Sequence, residues 1–213
     1  MATKLEENFV KKHIKGTDVF EFGNSPGKFT EEIAGKYNVT AIDLYDAECA
    51  EGYKAIKGDL LETAIEEKFD TIICLSSFEH CGIETQNFLP GNNPMALYDI
   101  PIAFKLVSML REGGRLVITA PFGKPDIYFI SKDGRNGTAE EIDDPEWGFR
   151  TFKVGQIESM FRPLKLTVSH TYGYTDGDYF EESSWEEVSH NDFDKYNNKH
   201  RGLLCCVLEQ GSE

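Results

Sequence analysis

The sequence predicts an α/β fold, in which a mostly parallel sheet is doubly wound with helices on both faces. Short apolar runs rich in β-branched residues alternate with segments of helical spacing, which is the pattern of βαβ units. Glycine or aspartate follows several of these runs, as expected where a strand turns into a helix. With 213 residues, of which 40% are hydrophobic, the chain is long enough to bury one core. We therefore expect a single domain.

The N-terminal segment predicts a helix that precedes the first strand. Leu5, Phe9 and Val10 fall on one side of a helix over Lys4–His13. Gly16 follows and ends it.

The next segments predict three strands with helical segments between them. Their apolar and β-branched character is typical of strands that are covered on both faces. The predicted elements are, in order, a strand over Asp18–Phe22, a helix over Lys28–Lys36, a strand over Val39–Ile42, a strand over Tyr53–Lys57 and a short helix over Leu60–Glu67.

The middle of the chain continues the alternation. Phe69–Leu75 is strongly apolar and predicts a fourth strand. Met95–Leu110 has amphipathic helical spacing, with Pro101 marking a kink or a late start. The glycine pair at 113–114 is expected to end this helix, and Arg115–Ala120 predicts a fifth strand.

The last third of the chain changes character. Phe122–Thr151 is polar and aromatic with Gly, Pro and Asp interspersed, and predicts a long structureless loop, usually a lid or substrate loop. A helix over Val154–Phe161 follows. Leu164–Tyr174 and Leu203–Glu209 predict the final strands.

Charge and composition exclude several classes of protein. The formal net charge is −15 and no basic patch is present, which argues against a nucleic-acid partner or an anionic membrane surface. No apolar run is long enough to span a bilayer, and the N-terminus lacks the apolar core of a signal peptide. The five cysteines show no paired spacing, so we expect free thiols in a cytoplasmic protein. They do not decide between a monomer and a homodimer, and both are carried as expectations.

Three features predict a nucleoside at the carboxyl edge of the sheet. Residues 21–27 form a strand end and a glycine-bracketed turn, which brings backbone close to a ligand. Asp43 ends the second strand, where a carboxylate can accept both ribose hydroxyls, and Asp59 follows the third, where it can accept from an adenine amino group. Each feature alone is more often an ordinary turn or cap residue.

Together these segments resemble the class I S-adenosylmethionine-dependent methyltransferases. Within that family they are most similar to the methyltransferases that act on small molecules, of types 11 and 12. Residues 21–27, EFGNSPG, are similar to the acidic-x-Gly-x-x-x-Gly first motif of that family. Asp43 matches its ribose acid and Asp59 its adenine-side acid. Phe69–His80 resembles its fourth-strand motif, and Leu110–Pro121 resembles the motif that follows.

The resemblance implies a Rossmann-like sheet of seven strands, with the last strand antiparallel. One domain would span residues 1–213, with a cofactor-binding half over about 18–122 and substrate-recognition elements over about 123–200. The implied cofactor is S-adenosyl-L-methionine. The residues expected to bind it are Glu21, Gly23, Asn24, Ser25, Gly27, Asp43, Leu44, Asp59, Leu60, Leu75 and Ser76.

The chemistry of this cofactor indicates which other residues are needed. A sulfonium methyl group is already electrophilic, so the protein has to hold an acceptor in line and, for a hydroxyl, remove its proton. His80, with Glu79 beside it, is the candidate base; the alternative is that this pair caps the next segment or orients the cofactor. The candidate substrate-binding residues are Phe122, Tyr128, Trp147, Arg150 and His170.

For the aromatic candidates the alternative is a place in the core, whereas Arg150 could hold an acidic substrate group bidentately. His170 is also a second candidate base, with a purely local role as its alternative. The acidic segment at 140–144 has no metal-ligand spacing, so no metal is expected.

We therefore predict a methyltransferase for a small-molecule acceptor, with a hydroxyl oxygen of a sugar or secondary metabolite as the expected nucleophile. Residues 78–82 are also similar to a motif of lipid cyclopropane synthases, although the last third does not resemble theirs. A non-catalytic nucleoside-binding or regulatory module on the same fold stays open. A nicotinamide oxidoreductase is less favoured, because Ser25 stands where pyrophosphate binding needs a glycine.

Overall fold

The computed structural model describes residues 2–23, 28–44, 52–83, 98–123, 126–132, 136–137, 142, 145–175, 178–182 and 202–210. The helices are α1 (Lys4–His13), α2 (Lys28–Ala34), α3 (Asp99–Ser108) and α4 (Val154–Met160), with a 3₁₀ turn at Phe78–His80. The strands are β1 (Asp18–Phe22), β2 (Asn38–Asp43), β3 (Lys54–Lys57), β4 (Phe69–Leu75), β5 (Leu110–Pro121), β6 (Asp126–Ser131), β7 (Asn136–Gly137), β8 (Pro145–Thr151), β9 (Lys165–Thr175), β10 (Asp178–Glu182) and β11 (Gly202–Glu209).

The main sheet has eight strands in the order β10-β9-β11-β5-β4-β1-β2-β3. The five strands β1 to β5 pair with one another in parallel, whereas β11 runs antiparallel to both β5 and β9. This confirms the predicted doubly wound, mostly parallel sheet with an antiparallel last strand. The expected count of seven strands is one too low, because the edge strand β10, which pairs antiparallel with β9, was not predicted.

Side chains alternate between two hydrophobic layers, so helices cover both faces of the sheet, as predicted. Neighbouring residues such as Val19 and Phe20 belong to different clusters, because successive strand residues point to opposite faces. One layer contains buried residues of α1 and α2, and the other contains those of α3 and α4. None of the helices in the described parts of the chain is long and apolar enough to cross a membrane.

The helix start near Pro101 follows from the chemistry of proline. α3 begins at Asp99, so Pro101 lies in its first turn, and the predicted late start is confirmed. The first N–H groups of a helix have no intrahelical partner, so a proline costs little there.

Two predicted boundaries are wrong. Residues 60–67 form one turn rather than a helix: the backbone N–H and the hydroxyl of Thr63 both donate to the Asp59 carbonyl, at 2.9 and 2.6 Å. A hydroxyl that competes for this carbonyl favours a turn over continued helix. β5 begins at Leu110 and runs through the glycine pair, with an irregular register against β4. A Cβ on Gly114 would lie 2.9 Å from the Arg111 carbonyl oxygen, so glycine fits this close backbone approach.

The expected structureless loop at 122–151 is also wrong, because its described part forms a three-stranded antiparallel sheet in the order β7-β6-β8. The side chains of β6 alternate between two small clusters. Ile127 and Phe129 belong to one, and Tyr128 and Ile130 join Phe149 in the other. Aromatic and β-branched residues with this period stabilise a strand that is covered on both faces.

Candidate active site

The carboxyl ends of β1, β2 and β3 are joined by backbone hydrogen bonds. The Gly23 amide donates to the Ile42 carbonyl at 2.9 Å, and the Gly58 amide donates to the Asp43 carbonyl at 2.9 Å. Asp43 therefore lies between the turn that follows β1 and the turn that follows β3. Ligands of parallel sheets bind at this edge, so the predicted ribose acid is placed where such a ligand would lie.

The turn after β4 packs against the turn after β1. Ser77 Oγ donates to the Phe22 carbonyl at 2.6 Å. Gly23 has φ +79°, and a Cβ built on it would lie 2.2 Å from Ser77 Cβ. Only glycine combines this backbone conformation with this approach. The four neighbouring strands β3, β2, β1 and β4 thus meet in one continuous row of linked turns.

Glu21 is a buried carboxyl in β1, two residues before Gly23. Its side chain accepts a hydrogen bond from Thr30 Oγ1 at 2.8 Å, which joins β1 to α2. Burial raises the pKa of Glu21 to about 7, and the Thr30 hydrogen bond partly opposes this rise. At neutral pH the carboxyl is therefore divided between its neutral and charged forms.

Asp59 makes two hydrogen bonds of its own. Its Oδ1 accepts from the Leu61 amide at 2.8 Å, and its Oδ2 accepts from the Tyr98 hydroxyl. Tyr98 immediately precedes α3, so this contact joins the third-strand turn to that helix. A carboxylate oxygen can accept more than one hydrogen bond, so these contacts leave room for the predicted adenine contact.

The remaining cofactor candidates differ in burial. Leu60 is buried in the core, Leu75 and Ser76 are half-buried at the end of β4, and Leu44 is exposed beyond β2. Asn24, Ser25 and Gly27 lie outside the described residues. The cofactor-binding role of the whole set stays a prediction.

Glu79 is buried in the 3₁₀ turn after β4. Burial raises its pKa to about 8, and the charge of Glu6 adds to the rise, so Glu79 is mostly protonated at neutral pH. Its Oε1 lies 3.9 Å from His80 Nε2. Its Oε2 has no hydrogen-bond partner among the described residues.

His80 has one ring nitrogen fixed by the protein. Its Nδ1 lies 2.7 Å from the Gly148 carbonyl oxygen, which can only accept, so Nδ1 is the donor and Nε2 carries the lone pair of the neutral ring. Burial against β8 lowers the pKa of His80, although 42% of the side chain is exposed and solvent limits this shift. A neutral imidazole near pH 7 is suited to act as a base.

The small sheet docks on the turn after β4 through Gly148 and Arg150, which lie two residues apart on β8. Arg150 Nη1 donates to the Cys81 carbonyl at 2.7 Å, beside the contact between His80 and Gly148. A Cβ on Gly148 would lie 2.5 Å from Ile83 Cγ2, so glycine permits this close approach. The small sheet therefore stands beside the residues expected to accompany the reacting methyl group.

Arg150 is a buried cation. Its Nη1 also lies 3.2 Å from Asp99 Oδ2, and both side chains are 10% exposed. Its Nη2 is buried and has no hydrogen-bond partner within the described ranges. Arg150 thus joins the small sheet to α3 and to the 3₁₀ turn, and its contact with substrate stays a prediction.

The structure places the other substrate candidates in different surroundings. Phe122 is buried in the main core, and Tyr128 is buried against Phe149 with ring centroids 5.8 Å apart. His170 lies apart from them on β9, where its ring meets Phe9 of α1 edge-on at 6.0 Å. Trp147 belongs to β8, but its side chain lies outside the described residues. Their contact with substrate is untested.

Three residues at this edge were not among the sequence candidates, namely Glu6, Ser77 and Tyr98. Glu6 carried a signal, because Thr3-x-x-Glu6 before an apolar run is a capping-box pattern, and the structure contains that box. The pattern predicts a helix start but not a contact with the sheet. Ser77 lies within the fourth-strand motif at 69–80 but was not singled out, and Tyr98 has no local sequence signal.

A cleft of about 480 Å³ lies away from this row of turns. It is lined by the residues that begin β1, β2 and β4, among them Asp18, Asn38 and Phe69, and so lies at the amino edge of the sheet. The convergence of the strand ends, rather than this cleft, marks the candidate site. Within the described residues no group of His, Cys, Asp and Glu has the arrangement of a metal site.

Solved structures with a similar fold are methyltransferases. The N-methyltransferase NodS of Bradyrhizobium japonicum, solved with S-adenosylhomocysteine, matches with a TM-score of 0.58 and 11% identity over 98% of this chain and 87% of its own. The chain has the class I methyltransferase fold. No protein-family model matches the sequence, and no curated protein matches it either.

Two further structures share this methyltransferase fold. The 1,6-didemethyltoxoflavin-N1-methyltransferase of Burkholderia thailandensis, solved with bound 1,6-didemethyltoxoflavin and S-adenosylhomocysteine, gives a TM-score of 0.62 and 14% identity over 98% of this chain and 78% of its own. An S-adenosylmethionine-dependent methyltransferase of Methanosarcina mazei gives a TM-score of 0.62 and 10% identity over 96% of this chain and 97% of its own. The expected resemblance is thereby confirmed at the level of the fold.

Proposed function

We propose that this chain is an S-adenosylmethionine-dependent methyltransferase that acts on a small-molecule acceptor. The observation that carries the proposal is the row of linked turns, in which Gly23, Asp43 and Gly58 are joined by backbone hydrogen bonds at the carboxyl edge. Solved structures of similar fold contain S-adenosylhomocysteine, which supports the choice of cofactor.

The residues present fit this cofactor. The acids at the edge, Glu21, Asp43 and Asp59, carry oxygens that can accept hydrogen bonds from ribose hydroxyls and from amino groups. Asp43 would hold the ribose and Asp59 the adenine. When bound, S-adenosylmethionine supplies an activated methyl group.

The protein's own part in catalysis is to position the acceptor, exclude water and take a proton. The small sheet stands beside the turn after β4, where it can cover an acceptor and limit access of water. His80 is the proposed base, since Gly148 fixes its Nδ1–H and leaves the lone pair on Nε2. Because Glu79 is mostly protonated, it would help to hold the His80 ring in place and would not stabilise a positive charge on it.

A hydroxyl oxygen of a sugar or secondary metabolite is the proposed nucleophile. A hydroxyl needs a base, and His80 supplies one at this place, whereas a neutral amine can attack without one. Two of the structures with a similar fold are N-methyltransferases, so amines belong in any screen. We also propose that the chain works as one domain in the cytoplasm, as a monomer or a homodimer and without a nucleic-acid or membrane partner. The buried, unpaired cysteines among the described residues agree with a reducing compartment.

The proposal is tested by calorimetric titration with S-adenosylhomocysteine, with NAD as the control. Binding of the first and not of the second supports the cofactor class, and absence of binding by S-adenosylhomocysteine contradicts it. A screen of hydroxylated and amino metabolites with S-adenosylmethionine then follows. Turnover separates an enzyme from a non-catalytic nucleoside-binding module, and the methylated product identifies the acceptor atom.

A further inference from the structure

The N-terminal helix α1 lies across the sheet with its first turn at the carboxyl edge. Phe9 and Val10 are buried against residues of β1, β4 and β5, including Ile73 and Val117. These apolar contacts fix the helix on the face of the sheet. Its first turn thereby reaches the ends of β4 and β5, beside the candidate site.

Glu6 in this first turn is a charged residue that is only 2% exposed. Its Oε2 accepts from the Thr3 amide at 2.6 Å and so closes the capping box. Its Oε1 accepts from Thr119 Oγ1 at 2.9 Å and also from Ser76 Oγ. One carboxylate therefore both caps α1 and joins it to the ends of two strands.

Ser76 has a backbone conformation that needs support from its surroundings. Its φ of +46° lies in a region that residues other than glycine rarely adopt. Its amide donates to the carbonyl and to the hydroxyl of Thr119, at 3.2 and 3.1 Å, and its own hydroxyl donates to Glu6. The next residue, Ser77, is the one that packs on Gly23.

We propose that Glu6 is a positioning residue for cofactor binding. Its carboxylate holds Ser76 in this conformation, and Ser76 in turn sets Ser77 against the glycine turn at Gly23. The inference rests on the proposed function, since it concerns the same cofactor site. It gives α1 a role at the site, although α1 lies well before the candidate motifs in the sequence.

Loss of the Glu6 side chain would leave one buried hydroxyl group, that of Thr119, and one half-buried hydroxyl group, that of Ser76, without their acceptor. Ser76 Oγ and Thr119 Oγ1 would then have to find other partners, and a buried donor without one is costly. The turn after β4 would relax, and with it the surface that Ser77 presents to Gly23. Cofactor affinity should fall even where the protein remains folded.

The experiment compares Glu6→Ala and Ser76→Ala with two controls. Thr3→Ala removes the cap hydroxyl but keeps the Glu6 carboxylate, and Val10→Ala weakens the packing of α1 without touching the turn. Calorimetry measures the Kd for S-adenosylhomocysteine, and urea unfolding measures stability. We expect a Kd about tenfold higher in the first two variants, because each breaks a hydrogen bond to a charged group. Both controls should keep the wild-type Kd although they are less stable.

The double variant Glu6→Ala/Ser76→Ala measures the coupling between the two residues. Because both act through one contact, we expect its Kd to match that of Glu6→Ala alone. A wild-type Kd in Glu6→Ala overturns the inference, and so does an equal weakening in Val10→Ala.

Hydrogen exchange of the unliganded protein separates this inference from the proposed function. The Ser76 amide should exchange faster in Glu6→Ala but not in Val10→Ala, whatever the protein binds. Faster exchange with no binding of S-adenosylhomocysteine by the wild type would refute the proposed function and the cofactor role, and leave the contact itself established. Unchanged exchange in Glu6→Ala would refute the positioning role while binding by the wild type stands.

Discussion

Gly23 and Ser77 are in such close contact that a Cβ on Gly23 would lie 2.2 Å from Ser77 Cβ. The two residues belong to different strand-to-helix connections, and their contact joins the glycine turn after β1 to the turn after β4. Both turns contribute to the candidate site. The distance between them is this short because Gly23 has no side chain.

Gly23→Ala should destabilise the protein by about 1–3 kcal/mol and weaken binding of S-adenosylhomocysteine, because the added methyl group overlaps Ser77. Two other glycines separate the causes. Gly113 also has a positive φ but open space around it, so Gly113→Ala reports the backbone cost alone, about 1–2 kcal/mol. Gly155 in α4 has open space as well, and Gly155→Ala should stabilise by up to about 1 kcal/mol. Urea unfolding and calorimetry measure the effects; binding unaffected in Gly23→Ala would refute the role of this contact.

Asp43→Ala should lower the affinity for S-adenosylhomocysteine by about 1–3 kcal/mol, because the ribose hydroxyls lose a charged acceptor. Asp18→Ala is the matched control, since Asp18 begins the neighbouring strand at the opposite edge and bonds Asn38 and Arg111 there. Calorimetry measures the affinity of both variants for S-adenosylhomocysteine, and circular dichroism checks that they are folded. Equal affinities in Asp43→Ala and wild type would remove Asp43 from the site.

His80→Ala should lower kcat by about 10²–10⁴ with a hydroxyl acceptor, the range for loss of a general base. A base has to be deprotonated, and burial lowers the pKa of His80. Wild-type kcat should therefore rise with pH below the ordinary histidine range and be level above it. This rise should be absent in His80→Ala. His13→Ala, at the far end of α1, is the control. A decrease of only a few-fold would leave positioning of the acceptor as the main contribution.

Stability should fall as pH rises, because of Glu79 and Glu21. Burial raises the pKa of Glu79 to about 8 and that of Glu21 to about 7, both from 4.5, so the folded state keeps these protons after the unfolded state has lost them. For one such carboxyl the free energy of unfolding falls by roughly 1.4 kcal/mol for each pH unit between its two pKa values.

Urea unfolding of Glu79→Gln between pH 5 and pH 8 tests this directly. The variant should lose less stability over that window than the wild type, whereas Glu112→Gln, at an exposed position, should follow the wild type. Curves for Glu79→Gln and wild type that run parallel would contradict the raised pKa.

Arg150→Ala should destabilise the protein by about 3–5 kcal/mol, because it leaves Asp99 buried without its cation. Arg111 provides the contrast. Its ion pairs with Asp18 and Asp70 are solvent-exposed, so Arg111→Ala should change stability little. Thermal unfolding measures both. A mild effect in Arg150→Ala would show that the pair with Asp99 does not hold the small sheet in place.

Local sequence patterns predicted those elements in which one signal dominates. β4 has the predicted bounds because it is an apolar run, and α1 does because its apolar residues fall on one side and Gly16 follows it. The segment after Asp59 is a turn rather than the predicted helix, because the hydroxyl of Thr63 donates to the Asp59 carbonyl. β6 is a strand within the predicted loop, because the alternation of its aromatic and β-branched side chains outweighs the glycine and proline around it.

The parts of the candidate site that depend on strand order follow from the sequence. The parts that depend on how the helices pack on the sheet do not. Asp43 and Asp59 follow strands that pair as neighbours, so strand order alone brings them together. Glu6 and Tyr98 reach the same edge through contacts with residues that are remote in sequence. No local pattern records such contacts, because they form only when the helices pack on the sheet.

The small sheet is inserted between β5 and α4, and its described hydrogen bonds to the fourth-strand turn involve two backbone carbonyls, those of Gly148 and Cys81. A carbonyl is common to every residue type, so most side chains of the insertion can change while this anchorage persists. If the proposed function holds, acceptor choice and cofactor binding belong to stretches of the chain that can vary separately. A lineage of such proteins could exchange one acceptor for another by altering the insertion, while the row of turns beneath it stays as it is.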